Sequence, residues 1–242
     1  MTAFERLEAH IIGLRNGSGG LTTFLWDALA RLWTRRLLLP AIALVLLLTA
    51  SNIFILKNMP KGGDLPINFL LGALVRIGGL IVLEIGILRI FTDSPRRPWA
   101  IDGAYALFLP VTIAGIAISA LAEKLIGAGD EPAGLLAGNV LVTILLAPFA
   151  AWMVAIATAR PLAWRPGPYM RTFGRWLPQL IVWSLLLITP LAVLHAILDA
   201  WLVKGAGDWF WPVALLDGPL SALFGLIGFS LNANAYRRVT QA

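Results

Sequence analysis

The sequence predicts an all-α membrane protein: six transmembrane helices preceded by N-terminal amphipathic interfacial helices. Three observations predict it. Apolar stretches without charge recur along the chain, arginines gather between alternate stretches, and only 13 % of the 242 residues are charged against 59 % hydrophobic. A soluble domain carries about twice that charged fraction. About twenty apolar residues, at ~1.5 Å each, cross a hydrocarbon core of roughly 30 Å. Inside lipid such a stretch has to close its own hydrogen bonds as a helix.

The elements follow in order. Residues 1–36 hold two short amphipathic segments. Phe4, Leu7, Ile11 and Leu14 recur at helical spacing, and Asn16-Gly17-Ser18-Gly19-Gly20 then breaks the pattern. In the second segment Leu25, Leu29 and Leu32 share a face away from Asp27, Arg31 and Arg35, with Trp26 and Trp33 suited to headgroup level. Both read as helices lying in the interface or docked on the inner ends of the bundle. No cleavable signal peptide is expected in residues 1–36, so the first span serves as the insertion signal. Leu37–Leu56, Gly103–Ala122, Pro132–Ala159, Trp176–Leu198 and Gly218–Tyr236 are free of charge, and Pro66–Leu88 is broken only by Arg76 and Glu84. Spans are thus expected at 37–57, 66–91, 102–124, 133–159, 176–203 and 217–238, forming one domain over 37–238. Breaks fall at 58–64, 93–98, 127–132 and 165–168, each containing proline and most containing glycine. Trp209-Phe210-Trp211-Pro212 reads as an aromatic interfacial segment ahead of the last span. Asp217-Gly218-Pro219 reads as an N-cap with proline in the first turn, starting that span.

The net charge of +6 is distributed by side. Segments on the side of residue 1 hold Arg6, Arg15, Arg31, Arg35, Arg36, Arg89, Arg96, Arg97, Arg160, Arg165, Arg171, Arg175, Arg237 and Arg238, whereas the opposite side holds only Lys57, Lys61, Lys124 and Lys204. Cations in short loops mark the cytoplasmic face, so both termini are expected in the cytoplasm and the protein in the inner (cytoplasmic) membrane. Basic charge so placed meets anionic headgroups rather than nucleic acid. Arg31, Arg35, Arg36, Arg96, Arg97, Arg165, Arg171 and Arg175 are the candidate lipid-facing cations.

A weak repeat is visible. Leu39-Pro40, Leu109-Pro110 and Leu177-Pro178 stand near the starts of the odd-numbered spans, and Arg97-Pro98 and Arg165-Pro166 precede two of them by twelve residues. This reads either as three tandem two-helix units or as the common preference of proline for first turns and of arginine for flanks.

Candidate functional residues are few. Arg76 lies about ten residues into span 2, where a guanidinium costs at least ~2.5 kcal/mol and has to face the interior or a wet cavity. It reads as an anion or proton site, or as a structural clamp or a side chain snorkelling toward headgroups. Glu84, eight residues on, is displaced about 12 Å along the axis and about 80° around it, so each needs partners on other spans. For Glu84, nearer the cytoplasmic end, the structural reading is the expected one. His195 and Asp199 are one turn apart and can pair as a proton relay, although Asp199 also reads as a solvated residue near a helix end. Asn139, Asn232 and Asn234 can bond across helices, and Gly72, Gly78, Gly79 and Gly86 can admit close neighbours. There is no cysteine, which removes disulfides, thiolate nucleophiles and cysteine-based metal sites. The only other histidine, His10, falls on the opposite side. Neither a catalytic set, a metal site nor a cofactor is expected, and residues 13–20 lack the lysine and preceding strand of a P-loop.

The segment Leu25-Trp26-Asp27-Ala28-Leu29-Ala30-Arg31-Leu32-Trp33-Thr34-Arg35-Arg36 leads into span 1. Pro98–Tyr105 precedes span 3, Tyr169–Trp176 precedes span 5, and Ala235-Tyr236-Arg237-Arg238 follows span 6. This order, over residues 21–238, resembles the bacterial six-span proteins related to the membrane domain of glycerophosphoryl diester phosphodiesterases. The likeness is one of arrangement and composition. It implies an integral membrane role touching envelope lipids and supplies no catalytic residues to carry over, since no counterpart of the soluble phosphodiesterase domain is recognised here. The expected function is therefore non-enzymatic: contact with lipids, or service as an accessory or scaffold subunit beside other membrane proteins. The alternative is a small permease or a transporter's membrane subunit with Arg76 on an anionic substrate, and an intramembrane hydrolase using His195 and Asp199 ranks last.

Overall fold

A computed structural model describes residues 20–59, 66–126, 132–159, 165–174 and 176–240. Six helices are long and apolar enough to cross a membrane: Arg35–Lys57, Ile67–Phe91, Ala104–Ala122, Ala133–Ala157, Leu177–Gly205 and Gly207–Thr240. No strand occurs among the described residues, and the chain is an integral membrane protein. The first amphipathic segment (Phe4 to Leu14), His10, Arg160 and Arg175 lie outside the described residues.

The helices are α1 (Gly20–Leu32), α2 (Leu38–Lys57), α3 (Ile67–Phe91), α4 (Ala104–Ile126), α5 (Pro132–Leu146), α6 (Ala150–Ala157), α7 (Gly167–Phe173), α8 (Leu177–Trp183), α9 (Thr189–Gly205) and α10 (Phe210–Thr240). Span 4 is α5 and α6 joined by a 3₁₀ turn at Ala147–Phe149, and span 5 is α8 and α9 joined by a π-helical segment at Ser184–Ile188. Proline explains both joints. Pro148 and Pro190 lack the N–H that the carbonyls of Ile144 and Leu186 would receive, so the helix changes pitch to re-pair its neighbours. α10 is the hub, packing against α1, α2, α3, α6 and α9. The outward faces are apolar, with Leu39, Leu46, Leu74, Val75, Ile113 and Leu186 all more than half exposed, as lipid solvation requires.

Span 6 departs from the sequence reading. Asp217-Gly218-Pro219 does not start it: the helix begins at Phe210, and all three residues lie within α10. The Asp217 carboxylate is engaged with other helices instead of capping, and Gly218 is the point at which α10 meets α2. A Cβ on Gly218 would stand 1.8 Å from Thr49 Oγ1 and 2.9 Å from Thr49 Cα. Of the span 2 glycines, Gly72 and Gly79 face Phe54 and Leu47 of α2 and Gly86 faces Trp99, whereas Gly78 faces open space. The expected aromatic segment is present, with Trp209 and Trp211 exposed and Lys57 Nζ 4.4 Å from the Trp211 ring.

α1 docks on the bundle instead of floating in the interface. Its buried residues are Phe24 and Ala28, one position removed from the expected Leu25–Leu29–Leu32 face. Polar side chains of other helices reach its main chain: Asn234 Nδ2 donates to Phe24 O at 2.8 Å, Ser230 Oγ to Ala28 O, and Trp183 Nε1 to Leu21 O at 2.8 Å. Arg238 pairs with Asp27 and stacks 4.7 Å over Trp176. Contact between α1 and the last turns of α10 puts both ends of the described chain at one end of the bundle, the arginine end. The segments before spans 1 and 5 contain the helices α1 and α7, but residues 92–103 before span 3 form turns. Pro110 stands seven residues into α4, beyond a first turn, so the middle unit of the weak repeat differs from the other two.

Arg89, read from sequence as an ordinary flanking cation, is fully buried at the arginine end. Its guanidinium donates to Ala157 O at 2.8 Å, Ala100 O at 2.7 Å and both Asp102 carboxylate oxygens at 2.8 and 2.7 Å. Asp102 also accepts the Ala104 N–H at 3.0 Å, closing the start of α4. One side chain thus satisfies the last turn of α6, the connecting turns and the cap of α4. Replacing Arg89 by Leu is expected to lower stability by about 3–5 kcal/mol, since it strands Asp102 and the carbonyls. Arg89→Lys should recover only a minor part because a lysine has no planar fork. Denaturation midpoints in mixed detergent micelles test this, and an unchanged midpoint for Arg89→Leu would refute it.

Candidate functional site

The polar residues within the spans converge in the lysine-end half of the bundle. Asn52 of α2 lies five residues before Lys57, and Asp217 of α10 lies seven after Phe210, which places both about 8–10 Å inside their helix ends. Asn52 bridges: its Oδ1 accepts from Arg76 of α3, and its Nδ2 donates to Asp217 Oδ2 at 2.7 Å. The other Asp217 oxygen meets His195 Nδ1 of α9 at 2.5 Å. Ser221, one turn beyond Asp217, places its hydroxyl 3.1 Å from the same Nδ1. Asp217 is fully buried, and Asn52 and Ser221 are nearly so. Four helices therefore meet through one chain of contacts, Arg76–Asn52–Asp217–His195–Ser221.

Arg76 does find partners on other spans, as its depth requires. It sits in the field of both Asp199 and Asp217, so its charge is compensated within the protein. His195 and Asp199 interact electrostatically, but the hydrogen bond of His195 goes to Asp217, not to Asp199. Asp199 is half-buried and lies six residues inside α9, not at a helix end. Counted as ionised, Arg76 and Asp217 cancel, and Asp199 adds one negative charge beside them.

Ser221, His195 and Asp217 are the residue types of a hydrolytic triad, but the geometry differs. In a triad the carboxylate holds one ring nitrogen and the serine uses the other. Here both address Nδ1, which is not the arrangement of a triad. Among the described residues, no three His, Asp or Glu side chains come together as a metal site.

Glu84 is not part of this cluster. It stands on the arginine half of α3, beside an apolar cavity, and makes no hydrogen bond or ion pair with any described residue.

Among the candidate lipid-facing cations, Arg31 is engaged within the protein. Its Nη1 donates to Phe91 O, and it lies 3.6 Å from Asp93, tying α1 to the end of α3. Burial, then repulsion from Arg237, lowers its pKa, while Asp93 and Asp27 oppose the shift. Arg35, Arg36, Arg96, Arg97, Arg165 and Arg171 are exposed. Arg96 is 3.7 Å from Asp102, and the other five pair with no described carboxylate.

Asn52, Asp217 and Ser221 were not singled out as functional from the sequence. The i, i+4 spacing of Asp217 and Ser221 is one available signal, and an asparagine late in an otherwise apolar span is another. No protein family, curated protein or solved structure matches the chain.

Asp217→Leu is expected to cost about 3–5 kcal/mol, because it takes the acceptor from Asn52 and His195 and a countercharge from Arg76 in hydrocarbon. Gly218→Val should cost about 1–3 kcal/mol by forcing α10 off Thr49. Unfolding in mixed micelles reads both, and wild-type midpoints for either variant would show that the α2–α10 contact is not what holds this half together.

Proposed function

We propose that this chain is a non-enzymatic inner-membrane protein, with its arginine end in the cytoplasm, that works by holding anionic lipid headgroups and so anchors or accompanies other membrane components. One observation carries the reading. Arg35, Arg36, Arg97, Arg165 and Arg171 are exposed at a single end of the bundle and unpaired among the described residues, while Arg31, Arg89, Arg237 and Arg238 at the same end are bound within the protein. Cations that serve structure are matched by carboxylates and carbonyls. The unmatched ones form a rim at headgroup level, where each Lys or Arg contributes about 1 kcal/mol toward an anionic surface. The cytoplasmic assignment rests on the same bias, since arginine-rich short loops stay on that side.

The permease reading is the weaker of the two. An anion approaching Arg76 has to displace Asn52 and compete with Asp199 and Asp217, which favours a clamp over a substrate contact. The hydrolase reading has the wrong ring nitrogen.

The test is the lipid that stays with the protein. Mass spectrometry of protein purified in mild detergent is expected to find anionic phospholipid enriched over zwitterionic. A variant with Arg35, Arg36, Arg97 and Arg171 all changed to Gln should lose that enrichment at least tenfold while folding normally. Equal retention by the two proteins would overturn the proposal.

A further inference from the structure

A cavity of about 690 Å³ opens between α3, α4 and the jointed span 4, within the range of pockets that enclose small organic ligands. Its walls are apolar apart from Glu84, Thr112 and Ser119, and Phe149 and Trp152 contribute rings. The Ser119 hydroxyl is used, donating to Gly115 O at 3.0 Å. Thr112 Oγ1 is buried without a partner, and Glu84 has none among the described residues. Pro110, Ile116 and Phe149 of the lining are exposed on the outer surface of α4 and span 4, so the cavity is entered from the lipid. Glu84 lies seven residues before the end of α3, about 10 Å inside the arginine end.

A carboxylate at this depth is costly unless a cation or donor answers it. Arg76 is two turns away and engaged elsewhere, and the Arg89 guanidinium is taken up by Asp102, Ala100 and Ala157. Among the described residues that line the cavity from α4 and span 4, none is charged: the polar groups are the Thr112 and Ser119 hydroxyls and the Trp152 indole. We infer that the cavity binds a compact lipophilic amine, its ammonium on Glu84 and its apolar body along α4 and span 4. The ammonium supplies the missing charge, and Phe149 and Trp152 add aromatic rings to the lining beside the apolar body. A diacyl phospholipid is too large to enter whole, which favours a single-chain amine. This site is separate from the arginine rim and does not depend on it.

Native mass spectrometry of the detergent-solubilised protein with tetradecylamine, tetradecanol or tetradecanoate tests the inference. A single amine adduct is expected, at least tenfold more abundant than the alcohol or acid adduct. Glu84→Gln should reduce it at least tenfold without lowering the unfolding midpoint, because Glu84 holds no other helix. Gly115→Leu should do the same with Glu84 intact, since a Cβ there meets nothing within 4 Å and the longer side chain grows into the cavity. Equal adducts with all three ligands, an undiminished amine adduct in either variant, or preferential retention of phosphatidylethanolamine over tetradecylamine would overturn it.

Discussion

Hydrocarbon offers no hydrogen-bond partner, so a charged or strongly polar side chain carried into the bilayer is costly until side chains or main chain of the protein answer it. Two nodes meet that demand here, one in each half of the bundle. Near the lysine end Asp217 accepts from Asn52 and contacts His195, with Arg76 reached through Asn52. Near the arginine end Arg89 is surrounded by Asp102 and the carbonyls of Arg97, Pro98, Ala100 and Ala157. Burial of apolar surface cannot choose between helix arrangements when lipid is as apolar as leucine. These polar matches can, because each is satisfied in only one register. The close approach of Gly218 to Thr49 and of Gly72 and Gly79 to α2 then brings the helices near enough for the matches to form.

The two nodes differ in what they bind together. Asp217 joins side chains of four spans, so its loss separates helices. Arg89 mostly binds main chain, finishing α6 and, through Asp102, starting α4. It sets where helices stop, whereas Asp217 sets how they sit. α1 is held in the second manner, its carbonyls taken by Asn234, Ser230 and Trp183, so a segment of only moderate hydrophobicity becomes part of the bundle.

The spans were legible because their signal is length without charge, which needs no knowledge of neighbours. What stayed hidden was tertiary. Asp217-Gly218-Pro219 is locally a helix start, and the reading failed because the carboxylate finds better partners on α2 and α9 than an N–H of its own chain, while Pro219 merely frees the Leu215 carbonyl. Arg89 looks in sequence like any flanking arginine, and only the folded turn at Ala100–Asp102 distinguishes it from Arg97. The buried face of α1 was displaced by one residue because Ala28, not Leu29, is small enough to let α10 approach. From sequence His195 is paired with the carboxylate one turn away, Asp199, whereas the one it bonds in the fold, Asp217, is on another helix.

The placing of the nodes also explains where the fold is open. α4 is joined to the rest through its cap at Asp102 and through α3, α5 and α6, and it contributes nothing to the Asp217 node. It is accordingly the least buried of the six spans. Pro110 removes the N–H that would pair with the carbonyl of Ala106, and Pro148 turns span 4 at the same wall of the cavity. Two proline-bearing helices, α4 continuous and span 4 jointed, border the cavity, and Glu84 lines it from a third. An ionised carboxylate with no internal match is costly in hydrocarbon unless something outside the chain can reach it, and this cavity opens Glu84 to the lipid side.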